Sequence, residues 1–184
     1  MSSPHIRDIE IRVAEPLDVD ALAETHRDSI ESIGPAFYLP NDVEAWKDGL
    51  AGDVYLRAME AGEVFFVATG TQDRRRVILG FASDYHIEAA THGTSVYVRG
   101  VAARRGIGTA LLRQAEAHAL ANGARSIQIE ASLAGVAFYT ANGYVEVLRG
   151  QTRLMSGHVI ASVRMRKELD ATRSVGVRQS SPPK

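Results

Sequence analysis

Apolar positions along this chain change period several times. Ile9, Ile11 and Val13 alternate with polar neighbours and predict a strand. Pro16 then stands near the start of a helical pattern carrying Leu22, Ala23, His26 and Ile30. Ser32 to Asn41 holds Gly34, Pro35 and Pro40, so it predicts a loop, and two aromatic residues, Phe37 and Tyr38, fall inside it. Asp42 to Leu50 predicts a helix containing Trp46, and Asp53 to Met59 a further helical turn. Glu63 to Ala68 and Val77 to Ala82 predict paired strands joined by a solvated loop with Arg74, Arg75 and Arg76. Gly93 to Val101 reads as another strand. Beyond it, Leu111, Ala115 and Ala119 recur every four residues, with Ile107 one turn earlier, while Arg113, Gln114 and Glu116 fall off that stripe. This is an amphipathic helix of about four turns, stopped by Asn122-Gly123. Ser126 to Ser132 alternates again. Val136 to Ala141 predicts a short helix bounded by Asn142-Gly143, and Tyr144 to Leu148 and Val159 to Met165 are the last two strands.

Strands interrupted by helices place the chain in the α/β (α+β) class. Residues 1–169 read as a single domain. Residues 170–184 are polar, end in Gln-Ser-Ser-Pro-Pro-Lys, and cannot bury enough surface to order themselves. Composition narrows the function. The 184 residues are 45% hydrophobic, enough for a core, and carry a net charge of −1, so no global field draws in nucleic acid or an anionic membrane. Cysteine is absent, which excludes disulfides, thiolate zinc sites and an acyl-cysteine intermediate. No apolar run is long enough to span a membrane, the N-terminus lacks a signal-peptide core, and the expected location is cytoplasmic.

The chemistry concentrates between Val96 and Gly108. An alternating apolar run gives way to Arg104-Arg105-Gly106-Ile107-Gly108 and then to a helix. The first turn of a helix offers backbone N–H groups without intrahelical partners and the positive end of the peptide dipole. Glycine lets the backbone approach an anion closely, and arginine adds charge-assisted hydrogen bonds. The segment therefore predicts a phosphate site. It is not a dinucleotide fingerprint, because Leu111 stands where a third glycine is needed. Nor is it a P-loop, because Thr109-Ala110 stands where Lys-Ser/Thr is needed.

This turn, followed by Ser132-Leu-Ala-Gly-Val-Ala-Phe-Tyr139-Thr-Ala-Asn-Gly143-Tyr144, resembles the paired motifs of the GCN5-related N-acetyltransferase (GNAT) superfamily. The resemblance runs from Ile11-Arg-x-Ala-x-Pro-x-Asp18 to a closing strand ending Met165-Arg-Lys, roughly residues 9 to 167. Ala103 stands at the family's usual Gln/Arg position, Arg104 where glycine is common, Ser132 in place of asparagine and Gly135 in place of alanine.

The resemblance implies a mixed, mostly antiparallel twisted sheet of about seven strands flanked by about four helices, with one splayed strand pair at the cofactor site. It implies acetyl-CoA as cosubstrate, no metal, and an amine acceptor of unspecified class, a homodimer being common for such domains. Backbone N–H groups of Arg105, Gly106, Ile107, Gly108 and Thr109 would hold the pyrophosphate, with Arg104 supplying a polar group in place of the residue missing at Ala103. Tyr97, Val98 and Arg99 would pair with the pantetheine arm, Val98 N–H would polarise the thioester carbonyl, and Ser132 would face the arm. Tyr139 would protonate the leaving thiolate, since a phenol titrates near pH 10. Glu130, His92 or a water relay would take up the amine proton. Phe37, Tyr38 and Trp46 would wall the acceptor pocket. A non-catalytic acyl-CoA-binding module, or a transferase for another acyl group, are the competing expectations.

Overall fold

The computed structural model describes residues 6–169; the polar segment 170–184 lies outside the described residues. Seven strands form one sheet: β1 (Arg7–Val13), β2 (Val64–Gln72), β3 (Arg75–Glu88), β4 (Thr91–Val98), β5 (Ser126–Ser132), β6 (Val145–Arg153) and β7 (Val159–Glu168). Their order is β1-β2-β3-β4-β5-β7-β6. Every neighbouring pair is antiparallel except β4 and β5, which run parallel.

Five α-helices cover the sheet: α1 (Val19–Ile33), α2 (Pro40–Lys47), α3 (Gly52–Glu60), α4 (Ile107–Ala121) and α5 (Val136–Ala141). The fifth arises because Asp48–Ala51 breaks the helical run, and Asp53 to Met59 becomes the separate helix α3. The strand expected to reach Val101 ends at Val98, and Gly100–Ala102 form a 3-10 turn instead. Strand β3 extends well past Ala82, because Ser83, Asp84 and His86 interrupt the apolar pattern without interrupting the ladder, which shifts register once, between His86 and Glu88.

The two faces of the sheet follow the two-residue period of strands, broken once by the β2–β3 register shift at Ala68/Thr69, which puts Leu79 on the opposite face from Phe81. Phe65, Val67 and Phe81 pack against Leu22 and Ala23 of α1 and Tyr55 of α3. Their neighbours Phe66, Ala68, Leu79 and Ala82 pack on the opposite face against Ile107, Leu111 and Ala115 of α4. A third cluster joins Ile127, Ile129 and Ala131 to Tyr139, Tyr144, Val163 and Met165. Both Asn-Gly stops close their helices alike. Gly123 and Gly143 have φ of +91° and +88°. The following residues bond back five positions, Ala124 N–H to Ala119 O at 3.0 Å and Tyr144 N–H to Tyr139 O at 3.1 Å.

Only three rungs join β4 to β5: Thr91–Ser126, His92–Ile127 and Gly93–Gln128. From there β4 keeps its ladder with β3, and β5 keeps its ladder with β7. The two strands part, and the gap between them is the feature on which the site is built. No helix among the described residues is long and apolar enough to cross a membrane.

Candidate active site

A cleft of about 860 Å³ opens where β4 and β5 separate. One end is the glycine turn. Gly106 caps α4 with φ +79°, and Arg104 also lies at positive φ, +58°. A Cβ at Gly106 would meet nothing within 4 Å, so the left-handed backbone is what demands glycine there. Gly108 is glycine for another reason: its Cβ would stand 3.2 Å from the Phe138 ring. The first intrahelical bond runs from Ala110 N–H to Gly106 O at 3.0 Å. The N–H groups of Ile107, Gly108 and Thr109 therefore have no carbonyl within the helix to bond. Arg104, Gly106, Gly108 and Thr109 line the cleft, with Ala103 beside them. Ile107 turns its side chain into the α4 core and can serve only through its backbone. Arg105 is not among the lining residues.

The floor is the free edge of β4. Arg99 N–H donates to Leu79 O at 2.8 Å, and Val98 lies opposite Gly80. Backbone bonding alternates along an antiparallel strand, so Tyr97 and Ser95 also turn their backbone groups toward β3. Val98 and Val96 turn theirs into the gap. Of the three residues expected to meet a pantetheine arm, Val98 thus presents backbone, and Tyr97 contributes its side chain. Arg99 does neither: its guanidinium bonds Thr25 Oγ1 at 3.2 Å and Glu24 at 3.4 Å on α1. Val96 is an edge residue that the motif reading passed over.

Tyr139 lies on α5, 6% exposed, and lines the cleft with Ser132. Burial drives its phenol well above the ordinary pKa, and the neighbouring phenol of Tyr97 adds to this, while the N–H of Val96 directed at the hydroxyl opposes it. The group is protonated at neutral pH and available to donate.

The two residues expected as bases part company. Glu130 lines the cleft, with its side chain 37% exposed and Oε1 accepting from Arg164 Nε at 2.5 Å. His92 is outside it. The imidazole is buried where β4 and β5 are still paired, and its Nδ1 lies 2.7 Å from Asp84 Oδ1. The other Asp84 oxygen lies 2.6 Å from His118 Nδ1 on α4. That three-residue knot ties β3, β4 and α4 together and leaves His92 no access to the cleft.

On the acceptor side, Phe37 and Trp46 line the cleft. Tyr38 is a buried strut. Its hydroxyl donates to Ala161 O at 2.7 Å and accepts from Leu133 N–H at 2.8 Å. Leu133 and Ala161 follow the last β5–β7 rung, Ser132–Ser162, so the hydroxyl bridges what would be the next one.

His26, which the sequence displays only as one polar member of an apolar helical stripe, reaches the cleft and stacks on Tyr97 with centroids 3.6 Å apart. Its Nδ1 lies 2.7 Å from Tyr55 Oη, and burial depresses its pKa to about 3, so the ring is neutral. Among the described residues no group of three His, Cys, Asp or Glu could hold a metal ion.

No functionally curated protein matches the chain in sequence. Among solved structures it is similar to one described as "GCN5-Related N-acetyltransferase: Aminotransferase, Class-II" from Rhodopseudomonas palustris. Identity is 25%, coverage is 90% of this chain and 98% of that one, and the TM-score is 0.74. It also shares its fold with a PaiA N-acetyltransferase from Thermoplasma acidophilum in complex with coenzyme A, at 20% identity, with 88% and 99% of the two chains covered and a TM-score of 0.68. A GNAT superfamily phosphinothricin acetyltransferase from Sinorhizobium meliloti, in complex with acetyl-CoA, matches at 19% identity with 88% of each chain covered and a TM-score of 0.65. Residues 36–169 match the family described as "Acetyltransferase (GNAT) domain", and that span is well over half of the sequence, so the chain belongs to the GNAT family of acetyltransferases.

Proposed function

We propose that this enzyme moves the acetyl group of acetyl-CoA onto a primary amine of a small molecule or peptide, by direct attack of the amine. The observation that carries this reading is the parting of β4 from β5. It opens one continuous cleft with a glycine-capped helix N-terminus at one end and a buried, protonated phenol along it. Two solved structures of the same fold contain coenzyme A or acetyl-CoA, which supports the assignment of the cofactor end.

Acetyl-CoA supplies an activated acyl group and a thiolate leaving group. The chain's own residues position, polarise and move protons. Helix N–H groups from Ile107 to Thr109, with Arg104, suit a pyrophosphate. Backbone groups of Val98 along the open edge suit an extended polar arm and can stabilise charge growing on the carbonyl oxygen. Tyr139, held in place by its burial against Tyr144 and Ala131, donates its proton to the departing sulfur. Phe37 and Trp46 supply the apolar wall against which an acceptor lies. The reaction needs neither a metal nor a covalent enzyme intermediate. A cytoplasmic enzyme without nucleic-acid or membrane partners fits the near-neutral charge. Exposed Val145, Val147 and Leu148 on the edge strand β6 favour self-association.

Calorimetric titration with acetyl-CoA, followed by thiol detection across a panel of amines, tests this reading. Saturable binding and amine-dependent thiol release are expected. Absence of binding would remove the cofactor site, and binding without release on any amine would remove the transferase.

A further inference from the structure

The class of the acceptor follows from what lines the end of the cleft away from the glycine turn. Ile33, Phe37 and Trp46 come from α1, α2 and the turn between them, and Leu154 and Met155 from the hairpin joining β6 to β7. That hairpin is fastened to α2. Ser156 Oγ donates to Ala45 O at 2.8 Å, and His158 Nε2 lies 2.7 Å from Asp42 Oδ1. Met155 reaches toward the turn beyond α2, where a Cβ on Gly49 would stand 3.5 Å from Met155 Cε. The two walls therefore form one fixed frame.

The frame is apolar. Trp46 meets Tyr38 edge to face with centroids 5.6 Å apart, and Trp46 and Leu154 pack onto the buried cluster of Ile30, Val43, Leu50 and Ile160. Ile33, Phe37 and Met155 line the same cleft yet stay 41%, 51% and 55% exposed. A single exposed apolar side chain is ordinary. Three grouped in one concave site, continuous with a core cluster, mark ground for an apolar ligand.

The charges point the same way. Among the described residues lining the cleft, the charged ones are Arg104, Arg153 and Glu130. Arg104 belongs to the turn at the cofactor end. Glu130 is the one carboxylate, and Arg164 already neutralises it. Arg153 adds positive charge on the hairpin side, with its guanidinium donating to Gly157 O at 2.9 Å. A polyamine or an aminoglycoside would bring several ammonium groups to a cleft whose only acid is taken. A cation drawn out of water without a partner is costly.

We infer that the acceptor is a small monoamine carrying a bulky apolar group, and that Phe37 and Met155 select it. This rests on the transferase reading above. The apolar group lies against Phe37, Trp46 and Met155, and the amine points back toward the thioester and Tyr139. Each methylene moved from water onto such a wall is worth about fourfold in kcat/KM, so the rate follows chain length until the wall is covered. A second ammonium at the far end of the chain loses its water and gains no carboxylate, which costs more than the methylenes beside it contribute.

The test is thiol release at saturating acetyl-CoA along the series ethylamine, butylamine and hexylamine, with hexamethylenediamine beside them. From ethylamine to hexylamine kcat/KM should rise about 10²-fold, and hexamethylenediamine should fall at least about tenfold below hexylamine. Phe37→Ala and Met155→Ala should each cut the hexylamine-to-ethylamine ratio at least about tenfold. Phe37→Leu and Met155→Leu keep apolar bulk and should hold the ratio within about threefold of wild type. Leu39→Ala, exposed but outside the cleft, should leave it unchanged. Trp46 is the chain's only tryptophan, so its emission in the coenzyme A-loaded protein reports occupancy without turnover. Hexylamine should shift that emission to the blue, and hexamethylenediamine at the same concentration should do so far less. A flat series, equal rates for hexylamine and the diamine, or an unchanged ratio in both alanine variants would overturn the apolar selection and leave the transferase standing. Hexylamine that shifts the emission but releases no thiol would overturn the transferase and uphold the apolar site, and neither signal on any amine would overturn both.

Discussion

Removing one oxygen atom, as in Tyr38→Phe, separates structural support from substrate contact at the acceptor side. Tyr38 sits in the aromatic segment that the sequence offers as a pocket wall, yet its hydroxyl is spent on Ala161 O at 2.7 Å and Leu133 N–H at 2.8 Å. Burial raises the phenol's pKa, so it remains a donor. Deleting it leaves the Ala161 carbonyl and the Leu133 N–H, both in part-buried hydrogen bonds, without their partner, each worth about 1 kcal/mol. Direct closure of Leu133 onto Ala161 would recover part of this, because both residues lie one step beyond the last β5–β7 rung. A net loss of about 1–2 kcal/mol is expected. For a chain of this size each kcal/mol moves the midpoint about 2–4 °C, so Tyr38→Phe should melt about 2–8 °C below wild type by circular dichroism. The KM for the amine should change less than about threefold, because the packing ring remains. A midpoint within about 1 °C of wild type, together with a large rise in KM, would refute the strut and return the hydroxyl to the substrate.

Three further outcomes are expected. Gly106→Ala forces a side chain into φ +79°; it should cost about 1–2 kcal/mol and weaken acetyl-CoA binding at least tenfold by calorimetry, and an unchanged affinity would move the pyrophosphate elsewhere. Tyr139→Phe should lower kcat by about 10²-fold while acetyl-CoA affinity stays within about threefold, so an unchanged kcat would strip the phenol of its acid role. His26 is neutral in the fold with a pKa of about 3, against 6.5 when unfolded. The unfolded chain therefore binds the extra proton first, and stability is full above about pH 6.5 and lost by up to about 1.4 kcal/mol per unit on descent toward pH 3. His26→Phe should flatten that part of the urea-denaturation profile, and an unaltered slope would show that the ring is not held neutral.

Local signals carried most of the elements. The alternation of Ile127, Ile129 and Ala131 marked β5 over the very residues it occupies, and Asn142-Gly143 ended α5 where Gly143 supplies the positive φ that closes it. The same signals failed where a tertiary partner overrode them. Ser83, Asp84 and His86 look like the end of a strand, but each is absorbed into the ladder with β4. Ser83 bonds Ser95, and Asp84 bonds two histidines. A polar residue on a strand face reads as an end only while its partner, here 12 residues away for Ser83 and 34 for Asp84, is unknown.

The site divides along the same line. The turn was legible because helix N-terminus, left-handed glycine and arginine are consecutive in sequence, so their joint purpose is a local property. The choice of a base was not, because a side chain's chemistry there depends on which edge of which strand it occupies. His92 and Ser95 are three residues apart on β4. His92 lies on the last paired rungs, where β5 closes over it; Ser95 lies beyond Gly93, where β5 has turned away. Residue type favoured the histidine, since imidazole titrates nearest neutrality. The divergence point of the two strands reverses that order. It buries the better base in a structural knot and leaves the weaker hydroxyl, paired with Ser83, at the wall of the cleft.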